Sequence, residues 1–312
     1  MTDPARRRLG PRFGALVAWS AVFIGGLILA ALLAPIAYSA FITIAPDTRV
    51  TLSRVFNRAA MVTAVVFMIA FRRHLGWPDL WRLLGRGAWA QRGAEVGVGL
   101  AAAIIAVLAC AGWAFATDRI GPTLNEYHFI SGRTAVTLLG GLAAGLIEES
   151  FFRGLMLASL TVSIGWRAAA LTSSVAYSAV HLLSSDRSFQ WHGYSVGAGL
   201  AYLVHAVSRQ LEPATIPPLA GLFLGGLALA VVVRVTGSLY LAIGLHAGWI
   251  LCFQVLRHAT RVLGEITGSS YLATHHYLVG TGWAWAAIAL SGALAVGWAR
   301  LTAAPSADGG AS

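Results

Sequence analysis

The chain has 312 residues, of which 57% are hydrophobic and only 11% are charged. A soluble domain carries about 25% charged residues, so this composition excludes an ordinary water-soluble fold. The net charge is +10, and every basic residue is an arginine, mostly placed at the end of an apolar run. This placement favours contact with phospholipid headgroups and argues against nucleic-acid binding. Cys110 and Cys252 lie within apolar runs and predict no disulfide framework.

Apolar runs long enough to cross a bilayer recur along the whole chain. A hydrocarbon core of about 30 Å needs about 20 helical residues. The sequence therefore predicts an all-α polytopic membrane protein with about eight transmembrane helices, near 14–41, 55–72, 96–117, 134–163, 166–183, 216–234, 237–257 and 281–301. The first span is expected to stay uncleaved, because its apolar run exceeds that of a signal peptide. The second is the weakest, because Asn57 and Arg58 lie in its predicted first turn.

The segments between the spans are short and carry the topological signal. The ends predicted to be cytoplasmic hold more arginines than the outer ends, which predicts a bacterial inner-membrane protein with both termini in the cytoplasm. Segment 74–92 mixes Trp, Leu and Arg and predicts an interfacial segment, or else a solvated loop. The longest loop, 184–215, would either cap a cavity or simply connect two spans. The polar tail from Ala303 is predicted to be disordered.

Four ionisable residues stand out inside the predicted spans, where each is a functional hypothesis because charge is costly in lipid: Glu148, Glu149, His181 and His246. Glu149 and Arg153 are i,i+4 neighbours, so they are predicted to form an ion pair with a structural role. Glu148 is turned about 100° away on the helix and has no local cation. The pattern therefore leaves Glu148 available for chemistry.

Helix lengths predict that two of these groups lie at one depth. Glu148 precedes the turn residue Gly165 by 17 residues and His181 follows it by 16, which puts both about 25 Å from the turn. His246 follows Gly237 by nine residues, or about 14 Å, and reaches that depth only if the first hairpin projects or its helices tilt. Such a set could activate a water for hydrolysis, bind a divalent metal or relay protons.

These residues also stand in three recognisable motifs. The run from Glu148 to Arg153, Glu-Glu-Ser-Phe-Phe-Arg, resembles the EExxxR motif of the CPBP family, also called Abi or type II CAAX prenyl endopeptidase-like proteins. The run from Tyr177 to His181 is similar to the family's FxxxH motif, with Tyr for Phe. His246 resembles the histidine of the third motif, HxxxN or HxxxD. The resemblance covers about residues 134–255.

The resemblance implies an intramembrane endopeptidase of the glutamic or metallo type. Carried over by position, Glu148 and His181 would activate the hydrolytic water, and His246 would stabilise the oxyanion. Glu149, Arg153 and Tyr177 would support this site. The cofactor is left open: either zinc, held by Glu148, His181 and His246, or none.

The predicted spans and the resemblance together give an expected domain organisation and expected partners. We predict N-terminal helices over 1–133, a catalytic core over 134–257, and the last span with its tail over 258–312. The expected partners are a membrane-associated polypeptide substrate and the lipid bilayer, with no nucleic acid. Ile250 stands where the family has Asn or Asp, and its alkyl group cannot donate to an oxyanion; Gln254, one turn farther, is a candidate substitute. The alternatives are a catalytically impaired binding or immunity protein and, less favoured, a proton-linked transporter.

Overall fold

The computed structural model describes residues 11–45, 50–123, 127–181, 189, 195, 197–210, 212–263 and 277–302. Within them the helices are α1 (Pro11–Ser20), α2 (Gly26–Ile44), α3 (Leu52–Ala70), α4 (Trp77–Gly85), α5 (Trp89–Ala116), α6 (Tyr127–Glu149), α7 (Ala158–Ile164), α8 (Trp166–His181), α9 (Gly197–Gln210), α10 (Ile216–Thr236), α11 (Leu239–Ala259) and α12 (Gly282–Thr302). Two π-helical segments, Ala21–Gly25 and Ser150–Leu157, and three short 3₁₀ turns accompany them. Two three-residue strands, β1 (Ile120–Pro122) and β2 (Thr260–Val262), complete the described structure.

Seven helical segments among the described residues are long and apolar enough to cross a membrane. They begin at Gly14, Leu52, Trp89, Thr134, Pro213, Leu239 and Gly282. The prediction of an all-α polytopic membrane protein is confirmed. The remaining predicted span, 166–183, corresponds to α8. Its 16 described residues are too few to cross the membrane by themselves.

Several boundaries differ from those predicted. The third span begins at Trp89, so the last residues of segment 74–92 belong to a membrane helix, while α4 occupies the middle of that segment. The predicted loop 184–215 is wrong in part, because α9 fills residues 197–210. The small residues of α9 give this helix a face that can pack against other helices. The rest of that prediction, and the predicted disordered tail from Ala303, lie outside the described residues or in short connections.

The chain divides into two compact units, each assembled from three stretches. Unit 1 comprises 1–80, 154–223 and 266–280, and unit 2 comprises 81–153, 224–265 and 281–312. The division into 1–133, 134–257 and 258–312 stays a prediction. In unit 1, α2, α3 and α9 share a core in which Phe56 and Tyr202 meet edge to face at 4.9 Å. Alanines 30, 31 and 34 on α2 are fully buried there, because their small side chains let the helices approach closely.

In unit 2, α11 is the central helix and packs on α5, α6 and α12. It is the most buried span, with 61% of its apolar window inside the protein against 22–50% for the others. Its contact with α5 depends on glycine: a Cβ on Gly244 would collide with the carbonyl of Val96, and one on Gly248 would lie 2.5 Å from Ala103 Cβ. Backbones therefore approach without side chains between them, which is the usual way that helices associate in lipid.

The C-terminal ends of α5 and α11 are tied together by the strand pair. Residues 120–122 pair antiparallel with 260–262, immediately after each helix ends. The two helices therefore run parallel with their ends at one level. This fixed register holds the side chains of α11 at defined heights in unit 2.

Candidate active site

Glu149 and Arg153 form the predicted ion pair, and both are buried. Arg153 Nε lies 3.2 Å from Glu149 Oε2, with the side chains 1% and 0% exposed. Arg153 Nη1 also donates to Glu149 Oε1 at 3.2 Å, and Nη2 donates to the carbonyl of Gly226 on α10 at 3.0 Å. The guanidinium thus compensates one carboxylate and satisfies one backbone acceptor, as a buried charge requires.

The π-helical segment begins directly after the two glutamates, at Ser150. A π-helical turn is wider than an α-turn, and such segments occur frequently at functional sites. Here the segment contains Arg153. It sets the direction in which the guanidinium leaves the helix that carries Glu148 and Glu149.

His246 is held by Glu149 across the interface between α6 and α11. Its Nδ1 lies 2.7 Å from Glu149 Oε1, and the side chain is 4% exposed. An ionised carboxylate only accepts hydrogen bonds, so Nδ1 carries a proton and donates. The imidazole is therefore oriented by a carboxylate that is itself oriented by Arg153. Sequence analysis assigned Glu149 to the ion pair alone and missed this contact, because its partners are 97 residues apart.

Glu148 faces the other nitrogen of the same ring. Its Oε2 lies 3.8 Å from His246 Nε2, and its side chain is 31% exposed. That distance is too long for a direct hydrogen bond. A single water can nevertheless lie about 2.8 Å from both atoms, at the apex of a triangle. The more open of the two carboxylates thus borders a position that suits a reacting water.

The His246 ring lies between two carboxylates, with Nδ1 2.7 Å from Glu149 Oε1 and Nε2 3.8 Å from Glu148 Oε2. Arg153 pairs with the more deeply buried of the two, Glu149.

Two glycines on α6 make the contact between Glu149 and His246 possible. A Cβ on Gly141 would lie 3.2 Å from the carbonyl of Ala247, and one on Gly145 would lie 3.0 Å from the carbonyl of Ile243. Gly141 and Gly145, four residues apart on one face of α6, therefore form a packing surface of the small-xxx-small type. It brings α6 close enough to α11 for the side chains to meet.

His181 and Tyr177 lie in unit 1, at the end of α8. The Nδ1 of His181 is 2.7 Å from the carbonyl of Tyr177, and the two rings are 4.6 Å apart. Tyr177 is buried, so an aromatic ring supports this histidine. Gly165 has φ +80° and separates α7 from α8, as predicted. The placement of His181 opposite Glu148 stays a prediction.

A zinc site would need more ligands than unit 2 provides. A catalytic zinc has three protein ligands and one open position. Among the described residues, no group of three or more His, Cys, Asp or Glu is arranged to hold a metal. Glu148 and His246 together supply two donor atoms facing one point. The described donors do not fit a zinc site, and the zinc set predicted with His181 stays a prediction.

A groove of about 410 Å³ lies between α6 and α11 on the far side of Ile250. Ile250 and Gln254 line it from α11. Gln254 is eight residues, or about 12 Å along the helix, beyond His246. Because side chains on a helix all lean towards its N-terminus, those of His246 and Gln254 lean in the same direction and do not shorten this distance. Gln254 therefore cannot share an oxyanion with His246, and its predicted role as a substitute donor is not supported.

These observations define a polytopic membrane protein with a buried carboxylate–imidazole site between two spans. Residues 130–252 match the family described as type II CAAX prenyl endopeptidase Rce1-like. The resemblance inferred from the three motifs is confirmed over those residues. The match supports a CAAX-type intramembrane protease fold for this part of the chain. No curated protein and no solved structure matches the chain.

Proposed function

We propose that the protein is an intramembrane endopeptidase that hydrolyses a peptide bond of a membrane-associated protein or peptide. The observation that carries the proposal is the buried chain of contacts Arg153–Glu149–His246, with Glu148 facing Nε2 of the imidazole. Residues 130–252, which match the type II CAAX prenyl endopeptidase family, contain the whole chain of contacts.

Glu148 acts as the general base in this proposal. Its carboxylate takes a proton from the water held near Oε2, and the resulting hydroxide attacks the peptide carbonyl carbon. In the breakdown step the protonated Glu148 returns its proton to the leaving amine nitrogen. The peptide bond and one water are thereby converted into a carboxylic acid and an amine, with Glu148 regenerated.

His246 stabilises the oxyanion that forms between these two steps. Its Nδ1 contacts Glu149, and its Nε2 faces Glu148, so in this proposal the ring receives a proton during the reaction and donates Nε2–H to the oxyanion. A preorganised cationic donor of this kind stabilises developing charge most effectively where water is scarce. Glu149 and Arg153 act through His246 and are positioning residues.

Other parts of the proposal follow the sequence-based expectations. His181 would be a second group that orients the water, and the protein would reside in a bacterial inner membrane with both termini cytoplasmic. The bilayer and a membrane-associated polypeptide are its proposed partners. The mechanism above assigns roles to Glu148 and His246, and zinc held by Glu148, His181 and His246 stays the alternative.

Comparison of protein termini tests this proposal. Cells that express the wild type, Glu148→Gln or Gly112→Ala would be compared by mass spectrometry of membrane and secreted proteins. Gly112 on α5 serves as the control because a Cβ there meets nothing within 4 Å. We expect one or more precursors to stay uncleaved only with Glu148→Gln. Identical termini in all three strains, at equal protein levels, would refute proteolysis.

Ile250 favours a second candidate function, that of a non-catalytic membrane binding or immunity protein. The residue lies one turn beyond His246 and supplies no donor. Removing one oxyanion donor from a protease costs about 10²–10³ in kcat. A binding protein would keep its phenotype with Glu148→Gln, so the same strains separate the two functions.

A further inference from the structure

The groove between α6 and α11 has one end near the candidate site and a basic opposite end. Residues 134–141 of α6 line it on one side, and residues 250–258 of α11 line it on the other. It begins where Ile250 meets Gly141, one turn from His246. It ends at Arg257 and His258, in the last turn of α11.

Arg257 brings a positive charge to that end. Its Nη2 lies 3.4 Å from His258 Nε2, a contact that brings no negative charge. The Nε atom of Arg257 is buried without a hydrogen-bond partner among the described residues. The described lining contains no aspartate or glutamate. An anion from a ligand would therefore supply the complement that the groove itself lacks.

The remaining lining suits an extended peptide. Thr134, Thr137 and Gln254 offer side-chain hydrogen-bonding groups, and Val136, Ile250 and Val255 offer apolar surface. An extended backbone carries a donor and an acceptor at every residue, which a purely apolar groove in lipid would leave unsatisfied. Polar groups spaced along an apolar wall satisfy some of them.

We propose that this groove binds the part of the polypeptide substrate next to the scissile bond, and that Arg257 binds a peptide carboxylate there. The proposal rests on the proposed function for its placement relative to the cleavage position. Arg257 is a specificity-determining residue in this proposal and does not touch the reacting atoms. The carboxylate is either the C-terminus of the substrate or an acidic side chain.

Helix geometry gives the distance between the cleaved bond and this carboxylate. Arg257 is eleven residues beyond His246 on α11, or about 16 Å along the axis. An extended peptide covers about 3.3 Å per residue. The carboxylate is therefore expected about four to six residues from the scissile bond.

Peptide binding to the purified full-length protein in nanodiscs tests the assignment. The probe is a fluorescein-labelled pentapeptide of apolar residues, made with a free C-terminal carboxylate, with a C-terminal amide, and as an amide with Glu as its last residue. For the wild type we expect the free-carboxylate peptide to bind about tenfold more tightly than the plain amide, as one charge-assisted contact provides. The Glu-amide peptide reports whether a side-chain carboxylate serves equally well.

Three variants separate the role of Arg257 from net charge and from folding. Arg257→Gln should abolish the preference for carboxylate, and Arg257→Lys should retain part of it. Arg261→Gln removes a charge four residues away that does not line the groove and should leave the preference intact. Equal binding of carboxylate and amide by a folded wild type would overturn the proposal, as would an equal loss with Arg261→Gln. A carboxylate preference that is lost only in nanodiscs containing phosphatidylglycerol would also overturn the proposal, because it would show that Arg257 binds a lipid phosphate.

The outcome does not depend on turnover. Binding is measured at equilibrium, so the carboxylate preference can be present in a protein that never cleaves. Conversely, uncleaved precursors with Glu148→Gln combined with equal peptide binding would leave the endopeptidase in place and remove only the role of Arg257.

Discussion

At the scale of single residues, the site consists of charges that stabilise one another. Arg153 is almost fully buried and contacts Glu149, which in turn holds Nδ1 of His246. Each of these groups is tolerated in the low-dielectric interior only because a neighbouring group compensates its charge or satisfies its hydrogen bonds. The Glu148 side chain is the more exposed of the two carboxylates, while its Oε2 atom, which faces His246, is buried.

The buried ion pair predicts a non-additive effect on stability. Arg153→Leu should destabilise the protein by about 3–5 kcal/mol, because Glu149 would lose its buried cation. The double variant Glu149→Leu with Arg153→Leu should recover much of that loss, since neither charge stays uncompensated. Unfolding of the purified variants in detergent, followed by circular dichroism, measures both. Equal and additive losses would show that the pair contributes no coupling.

The positioning role of Glu149 predicts a separate effect on catalysis. In the double variant, stability returns but His246 has no carboxylate at Nδ1, so cleavage of the precursor should stay at least about 10²-fold slower than in the wild type. The readout is the rate at which the mature terminus appears by mass spectrometry. Recovery of the rate together with stability would mean that Glu149 only balances Arg153.

Ile250 predicts a gain of function. Ile250→Asn places a donor one turn from His246. A Cβ added to Gly141 would lie 3.4 Å from the Ile250 side chain, so the smaller Asn fits at this position. If an oxyanion donor is missing, the rate of precursor cleavage should rise, by up to about 10²-fold. Ile250→Leu is the matched control and should have no such effect. An unchanged rate with Asn would show that the site already has its full set of donors.

At the scale of elements, the position of the site follows from glycines between α6, α11 and α5. Gly141 and Gly145 bring α6 to α11, and Gly244 and Gly248 bring α11 to α5. Backbone contact replaces side-chain packing along both seams. The height of His246 relative to Glu149 therefore depends on how closely these helices approach.

This close approach predicts that Gly145→Val will slow the proposed precursor cleavage, although no charged residue is changed. The new side chain would meet the carbonyl of Ile243, 3.0 Å from the position of its Cβ, and push α6 away from α11. A shift of about 1 Å at a catalytic group can reduce the rate about 10²-fold. Gly112→Ala on α5, where an added Cβ meets nothing within 4 Å, is the control and should behave as the wild type. Precursor cleavage in membranes is the measurement.

At the scale of the whole molecule, the number of crossings depends on α8. Seven described segments are long enough to span a bilayer, and an odd number places the termini on opposite sides. The 16 residues of α8 extend about 24 Å, short of a core of about 30 Å. It crosses only if the residues that follow His181 continue the helix.

The predicted eight crossings give a direct expectation for topology. Both termini should then be cytoplasmic, so green fluorescent protein should fluoresce and alkaline phosphatase should stay inactive when either is fused to the N-terminus or to the C-terminus. Fusions after Thr117, at the end of α5, should give the opposite result because the third crossing ends outside. Active phosphatase at the C-terminus alone would mean that α8 does not cross.

The sequence by itself determined the class of the protein, its spans and the chemical groups of its site. Apolar runs of about 20 residues have few alternatives in lipid, since every backbone group must be satisfied within the helix. Charges inside such runs are rare and conspicuous, so Glu148, Glu149, His181 and His246 could be selected, and the local pair of Glu149 with Arg153 followed from helical spacing alone.

Only the tertiary structure decided which of these groups meet, and how. The contact of Glu149 with His246 joins residues 97 positions apart, and it depends on the glycine seam between two helices. The structure also decided that part of the predicted loop forms the short helix α9. It likewise placed Gln254 too far from His246 along α11 to act with it. Periodicity fixes the face of a helix on which a residue lies, but the neighbour of that face depends on packing between distant segments.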